Sequence, residues 1–205
     1  HKEDQAETII FHMIRGTGPK GMEGIRPKRG FIIRPMLCMT KTEVLSYLKE
    51  KNYSYRLDET NQERTYSRNR IRLDVIPELQ KINVRAIEHI SALSEKIHEQ
   101  NRYVEKIAEE WVKKNITLTG NQLLLSVDEI EKQDIVIKKT VIRIIIREMI
   151  HTLKDIKENH IEQIIGLLNA KVGSRFYLPY GVITERTYDS ILFQIGENDQ
   201  DFISH

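Results

Sequence analysis

The sequence has little cysteine and no long apolar run. Its single cysteine, Cys38, cannot form an internal disulfide, and cysteine and histidine nowhere stand at zinc-ligand spacing. These absences exclude a disulfide scaffold and a zinc module, and they favour a reducing compartment, the cytoplasm. The richest apolar stretch, Thr140 to Leu153, is interrupted by Arg143, Arg147 and Glu148. It is therefore too polar for a membrane helix, which needs about 18 apolar residues in a row.

An initiator methionine and a signal peptide are also missing. The chain opens with His1-Lys-Glu-Asp and shows no basic segment followed by an apolar one. We therefore expect a fragment of a longer protein. Its 205 residues, 40% apolar and 30% charged, are enough for one globular domain or two small ones.

Charge is distributed unevenly along the chain. Residues 1–78 hold 15 Lys/Arg and 11 Asp/Glu, whereas residues 79–205 hold 17 and 19, which gives +4 and −2 within a total of +2. Clusters of basic residues of this kind suit contacts with phosphates, although they are also ordinary on a charged surface. Two clusters lie in the first part: Arg15, Lys20, Arg26, Lys28, Arg29 and Arg34, then Arg64, Arg68, Arg70 and Arg72.

The first part of the chain predicts the edge of an α/β domain. A short helix from Asp4, as N-cap, to Ile14 is followed by a flexible loop with four glycines in residues 15–24. A strand-like run, Phe31 to Leu37, precedes a helix that Thr40-Lys-Thr-Glu opens as a capping box. A polar loop and a short helix then lead to Ile76-Pro77, where we place a domain junction.

The second part predicts a mainly helical domain that ends in a β-hairpin. Apolar residues recur at helical spacing from Val84 to Lys114, with Trp111 in the apolar stripe, and two further helices are expected at Asp134 to Leu153 and Lys157 to Ala170. The first of these two is apolar on most sides and should be central. Alternating segments around Pro179-Tyr-Gly then predict the hairpin. The expected domains are residues 1–78 and 79–205.

Several segments, in order, resemble one family. His1-Lys-Glu-Asp-Gln-Ala-Glu-Thr and Arg15-Gly-Thr-Gly-Pro-Lys-Gly resemble the HxxDQxET and RGxGxxG signatures of tRNA(Ile)-lysidine synthetases. Arg34-Pro-Met-Leu, Asp58-Glu-Thr-Asn and Arg68-Asn-Arg-Ile-Arg follow in the family's order. The terminal Leu-Pro-Tyr-Gly segment is similar as well, so the resemblance covers essentially the whole chain.

The resemblance implies a Rossmann-like N-type ATP pyrophosphatase domain, here its C-terminal part, followed by a helical substrate-binding domain. It implies a ligase that uses ATP and Mg²⁺ to adenylate the wobble cytidine of the tRNA(Ile) with anticodon CAU and then attaches free lysine. The family's SGGxDS phosphate loop, which holds pyrophosphate and Mg²⁺, is absent from this sequence. We therefore expect the fragment alone to be inactive, and a homodimer is possible.

The resemblance assigns roles to three groups of residues. Asp4 and Glu7, three apart on one helical face, are the expected catalytic carboxylates beside His1; the alternative without the family is an ordinary helix cap at Asp4. Arg15, Gly16 and Gly18 are expected near ATP phosphates. The tRNA-binding candidates are Arg68, Asn69, Arg70 and Arg72, and a solvated helix face is an equally good interpretation of these four.

Other interpretations compete with this one. A tRNA thiolase is less favoured because thiolation commonly needs paired cysteines and only Cys38 is available. A helical module that binds RNA or protein without catalysis is the non-enzymatic alternative. The histidines form no HExxH or comparable pattern, so no protein metal site is predicted. Cys38 and Trp111 are expected to be buried packing residues.

Overall fold

The computed structural model describes residues 1–56, 66–119 and 122–196. By contacts, the chain divides into two compact units, His1–Asn101 and Arg102–His205. This division lies inside the long helix, whereas the sequence places the junction between residues 78 and 79, before that helix. The junction at 78/79 stays a prediction. The motif Asp58-Glu-Thr-Asn and Arg64 lie outside the described residues.

The first helix, α1, spans Lys2–Ile14 and begins earlier than expected. His1 is its N-cap: the Asp4 amide N–H donates to His1 Nδ1 at 3.4 Å, and the His1 amino group donates to Asp4 Oδ2 at 3.0 Å. The prediction of Asp4 as N-cap is therefore wrong, because Asp4 is the third helical residue of a capping box. Of the apolar residues that helical spacing predicts for the inner side, Ala6, Ile9 and Ile10 are buried, whereas Met13 and Ile14 are exposed near the end of the helix.

The glycine-rich stretch after α1 is partly helical. Helix α2 covers Pro19–Met22, with Gly18 as N-cap and proline in the first turn, where its missing N–H leaves no helical bond unmade. Arg15 is the C-cap of α1, and Gly16 and Gly24 have φ of +75° and +63°.

The predicted strand from Phe31 to Leu37 is largely absent. Strand β1 (Lys28–Arg29) and strand β2 (Ile32–Ile33) form a two-residue antiparallel hairpin, and a 3₁₀ turn spans Pro35–Cys38. Proline has no N–H for a sheet ladder, which ends the strand at this point. Cys38 is exposed, so the prediction that it is buried is wrong.

Helix α3, Lys41–Glu50, begins as predicted. Thr40 is its N-cap, and Thr40 and Glu43 satisfy each other's backbone N–H groups in a capping box.

Residues 67–82 form one continuous helical run with a widened centre. Helix α4 (Ser67–Arg70) passes into a π-helical turn (Ile71–Val75) and then into helix α5 (Ile76–Ile82). Ile71 and Ile76 are buried, which fixes this run against the inner face of α1. The core of the first unit consists of Ala6, Ile10, Ile71, Ile76 and Ile87.

The long helix, α6, spans Ala86–Asn115 and confirms the predicted helix of about thirty residues. Trp111 is partly buried against the core of the second unit, as expected. No helix among the described residues combines the length and apolarity needed to cross a membrane.

The second unit packs helices on an antiparallel sheet. Helix α7 (Val127–Glu131) precedes α8 (Ile135–Ile150), the predicted central helix, and α9 (Glu158–Gly166) follows. Six α8 residues are buried, which confirms its central position. Asp134 is its N-cap residue, as the predicted start implies.

The sheet is larger than the predicted hairpin. Its order is β3-β4-β7-β6-β5, and all neighbours are antiparallel. The predicted pair around Pro179–Gly181 is present as β5 and β6, but the segment from Val182 to Phe193 is two strands. Because apolar and polar residues alternate along this segment, the sequence does not reveal the turn between its two strands. Thr187 and Ser190 hydrogen-bond each other at this turn. The strands are β3 (Ile116–Thr119), β4 (Gln122–Ser126), β5 (Arg175–Tyr177), β6 (Val182–Arg186) and β7 (Ser190–Ile195).

We expect Ile146→Ala to destabilise the protein by about 2–5 kcal/mol, because Ile146 is fully buried in α8 and truncation leaves a cavity. Val136→Ala is the matched control, since Val136 is 53% exposed on the same helix; it should change stability by less than about 0.5 kcal/mol. Urea unfolding followed by circular dichroism measures both. Equal effects of the two substitutions would contradict the central position of α8.

Candidate functional site

A cleft of about 540 Å³ opens in the first unit beside the start of α1. It brings together six of the residues predicted from the sequence, which come from α1 and from the helical run 67–82. The segment Arg34–Leu37 supplies another wall. The predicted residues that line the cleft are His1, Asp4, Glu7, Arg68, Asn69 and Arg72.

The centre of the cleft is a fork between Arg72 and two carboxylates. Arg72 Nε donates to Glu7 Oε1 at 2.6 Å, and one terminal nitrogen donates to Glu7 Oε2 at 2.9 Å and to Asp4 Oδ1 at 3.0 Å. The guanidinium thus binds Glu7 through two of its nitrogens, and one of these two, the terminal nitrogen, also donates to Asp4. Such bidentate pairs fix orientation as well as charge.

The two carboxylates have different environments. The Glu7 side chain is 5% exposed and that of Asp4 is 36% exposed. Burial raises the pKa of Glu7, and the hydrogen bond from Arg72 opposes that rise only in part. The same hydrogen bond raises the pKa of Arg72. With all three groups ionised, Asp4, Glu7 and Arg72 carry a net charge of −1, and the His1 amino group, 3.0 Å from Asp4 Oδ2, is a further cation at the more exposed carboxylate.

The glycine-loop candidates are placed differently. Arg15, Gly16 and Gly18 lie beyond the other end of α1 and are absent from the residues that line this cleft. Arg15 and Arg68 nevertheless meet at one ring: their guanidinium carbons lie 5.1 Å and 5.4 Å from the centre of Phe11. Within the described residues, neither has a carboxylate at ion-pair distance, so both guanidiniums remain available to phosphate.

Arg70 is exposed and does not line the cleft. Arg72 lines the cleft, and both Glu7 and Asp4 accept hydrogen bonds from it. Direct tRNA contacts by Arg68, Asn69, Arg70 and Arg72 stay predictions.

Gln5 is a site residue that sequence reasoning missed. Its Oε1 accepts from the Ile25 amide at 2.6 Å, and its Nε2 donates to Ser94 Oγ at 2.9 Å and to the Glu23 carbonyl at 3.3 Å. Gly24 has a φ of +63°, which favours glycine, and a Cβ there would lie 2.7 Å from Gln5 Oε1. The sequence signal that pointed to Gln5 was its position between Asp4 and Glu7 in the DQxET motif.

Glu23 is the second missed residue, and it joins the end of the glycine-rich stretch to α6. Its buried carboxylate accepts hydrogen bonds from Arg26 at 2.7 Å and Asn101 at 2.9 Å, and lies 3.1 Å from His98 Nδ1. Burial alone raises the pKa of Glu23, but these bonds and the charge of Lys20 outweigh it and lower the pKa to about 2. The sequence signal is that Glu23 is the only acidic residue between Glu7 and Glu43.

Comparisons with known proteins show what the chain is similar to. Residues 1–79 match the model of the PP-loop domain. Over 195 residues, the chain is 31% identical to the tRNA(Ile)-lysidine synthase of Caldanaerobacter subterraneus subsp. tengcongensis, covering 95% of the chain and 42% of that protein. The corresponding enzyme of Clostridium acetobutylicum is 33% identical over 96% of the chain and 43% of its own length. The chain is therefore similar, over nearly its whole length, to part of the tRNA(Ile)-lysidine synthases.

Similarity to the family is strongest locally in another relative. The tRNA(Ile)-lysidine synthase of Parabacteroides distasonis is 46% identical over 99 residues, which is 45% of the chain and 23% of that protein. The chain spans about two fifths of the length of the first two relatives named above. The family resemblance inferred from the DQxET and RGxG segments is thus confirmed.

We expect Glu23→Gln to destabilise the protein by about 3 kcal/mol at pH 6, because the folded-state pKa is depressed from 4.5 to about 2. A depressed carboxylate pKa stabilises the fold above pH 4.5 and loses this effect as pH falls towards 2. The difference between wild type and variant in urea unfolding should therefore shrink from pH 6 to pH 3. The control is Glu50→Gln, whose side chain is 71% exposed; its stability difference from wild type should not change with pH. A stability difference for Glu23→Gln that is independent of pH would contradict the ionised network.

We expect Arg72→Met to destabilise the protein by about 3 kcal/mol at pH 7, because it leaves the buried Glu7 carboxylate unpaired. The double variant Glu7→Leu with Arg72→Met should recover most of that loss, since both partners are then apolar. Arg70→Met, at an exposed neighbour, is the control and should change stability by less than about 0.5 kcal/mol. Urea unfolding tests the cycle, and additive losses in the double variant would show that the fork is not formed.

Proposed function

We propose that the full-length protein attaches lysine to the wobble cytidine of the CAU-anticodon tRNA(Ile), using ATP and an adenylated cytidine. The observation that carries this proposal is the Asp4–Glu7–Arg72 cleft in a PP-loop domain. Relatives that match nearly the whole chain bear the name tRNA(Ile)-lysidine synthase. In a noncatalytic helical module the Glu7–Arg72 pair would serve stability alone, whereas the partly exposed Asp4 carboxylate in the same cleft offers a ligand contact.

Asp4 is the proposed contact for the lysine amine. It is the more exposed of the two carboxylates, and the set of Asp4, Glu7 and Arg72 has an excess of one negative charge. A carboxylate can accept more hydrogen bonds than the two that Asp4 receives from Arg72 and the His1 nitrogen. A lysine ammonium can therefore join Asp4 without displacing Arg72.

The chemistry of the second step requires that the amine lose a proton. The amine nitrogen then forms a bond to C2 of the cytidine, the bond from C2 to the oxygen of AMP breaks, and AMP leaves. A carboxylate beside the amine accepts the proton that the nitrogen gives up. Glu7, held at both oxygens by Arg72, is a positioning residue that keeps the Arg72 guanidinium against Asp4.

Arg15 and Arg68 are the proposed phosphate contacts. Stacking on Phe11 orients both guanidiniums without neutralising them. A developing charge on phosphate oxygens is stabilised by donors of this kind. Gly16, with φ of +75°, lets the backbone turn directly after Arg15.

ATP and Mg²⁺ would be bound mainly by the SGGxDS loop, which this sequence lacks. Within residues 1–56, 66–119 and 122–196, no group of three or more His, Cys, Asp or Glu side chains could hold a metal ion. We accordingly propose that the 205-residue chain alone is inactive.

We expect the full-length gene product to incorporate labelled lysine into the CAU-anticodon tRNA in the presence of ATP and Mg²⁺. Asp4→Ala should lower kcat/KM for lysine by about 100-fold or more, because the ammonium loses its acceptor. ATP-dependent adenylation of the tRNA, measured without lysine, should stay within about threefold of wild type.

Glu50→Ala, on the exposed end of α3, is the control and should leave both steps unchanged. Lysine incorporation that survives Asp4→Ala would remove Asp4 from the site. A wild-type protein that incorporates no lysine would overturn the proposed function itself.

A further inference from the structure

The hairpin β1–β2 presents apolar side chains to solvent. Phe31, at the tip beside Gly30, is fully exposed, and Ile32 and Ile33 are 57% and 69% exposed. Gly30 has a φ of +57°, which allows the tight reversal. In the described part of the chain, neither strand pairs with any strand but the other. A contiguous exposed apolar patch of this kind marks an interaction surface.

The charge around this patch is of one sign. Residues 24–42 contain five Lys or Arg and no Asp or Glu. Lys28 and Arg29 form β1 itself and, among the described residues, have no acidic partner at ion-pair distance. An exposed aromatic ring between cations is the arrangement that binds single-stranded nucleic acid, because the ring stacks on a base while the cations meet phosphates.

The hairpin is continuous with the cleft wall. Strand β2 ends at Ile33, and the next residues, Arg34–Leu37, line the cleft. Phe31 is three residues from Arg34, so their Cα atoms are at most about 10 Å apart. Stacked nucleotides rise about 3.4 Å each, and Phe31 is therefore within about three nucleotides of a base held at Arg34.

We propose that this hairpin is an RNA contact, in which Phe31 stacks on an unpaired base close to the reacting cytidine and Lys28 and Arg29 bind the adjoining backbone phosphates. The inference rests on the proposed function and names how the site holds its RNA. The occupant is single-stranded RNA rather than a protein because every charged residue in the segment 24–42 is basic and because Arg34–Leu37, directly after β2, line the cleft.

The test uses the full-length protein and two RNA probes: a stem-loop with the CAU anticodon and a fully paired duplex of the same length. Phe31→Ala should weaken stem-loop binding about 5- to 150-fold and leave duplex binding within about twofold. Phe31→Trp should retain affinity for the stem-loop, because an indole ring also stacks on a base. Lys28→Ala and Arg29→Ala should each lower the salt dependence of stem-loop binding by about 0.7 in the log–log slope.

Ile82→Ala and Tyr188→Ala are matched controls, since both side chains are more than 80% exposed and lie outside the hairpin. The inference is overturned by wild-type affinity of Phe31→Ala for the stem-loop, or by equal losses for stem-loop and duplex. It is also overturned if Phe31→Ala converts a dimer to a monomer in sedimentation without affecting RNA binding, because the patch would then bind a second copy. Lysine incorporation by the wild-type protein tests the proposed function separately from the RNA contact of the hairpin. If wild type incorporates lysine and Phe31→Ala binds the stem-loop with normal affinity, only the inference about the hairpin fails.

Discussion

The buried carboxylate of Glu7 is the constraint on which the first unit depends. An ionised carboxylate taken out of water is stabilised only by a close partner with good geometry. Arg72 supplies that partner from a segment 65 positions away in the chain. Helix α1 and the run 67–82 are thus held at one separation by two means: apolar contacts of Ile71 and Ile76, and the fork of Arg72.

The π-helical turn at Ile71–Val75 allows neighbouring residues to make both kinds of contact, the apolar contacts with α1 and the ion pair. Ile71 must point into the core and Arg72, its neighbour, must reach both carboxylates of α1. A widened turn changes the angle between consecutive side chains, and such turns are frequent at functional sites. Pro77 then opens the first turn of α5, where a missing N–H is tolerated.

The sequence predicted those elements in which local pattern and final environment agree. Thr40 and Glu43 cap α3 because a capping box is a local interaction, and α8 is central because its apolar residues surround the helix. The start of α1 was wrong since His1 can cap a helix in the same way as Asp4. Strands β3 and β4 were missed because β3 begins directly after the last residue of α6, and short apolar runs alone do not distinguish a strand from a helix.

Six of the ten predicted site residues line the cleft, but the contacts among them were not predicted. The spacing of Asp4 and Glu7 placed both on one helical face, and the cleft confirms that they converge. Nothing local indicated that Arg72 would bind carboxylates instead of phosphate, or that Glu23 would fold back onto His98 and Asn101. Both are contacts over more than 60 residues, and only the packing of the helices decides them.

The spacing of three residues between Asp4 and Glu7 also explains why two chemically similar side chains differ in role. At about 100° per residue, positions i and i+3 share a face but are displaced by one turn along the axis. Glu7 is therefore one turn deeper, next to the buried Ile71, while Asp4 stays at the rim. Arg72 hydrogen-bonds both carboxylates. The charge of the buried Glu7 is thereby compensated, and Asp4 at the rim keeps a negative charge that a ligand can contact. A displacement of one helical turn therefore gives Glu7 a structural role and gives Asp4 the proposed contact with the ligand.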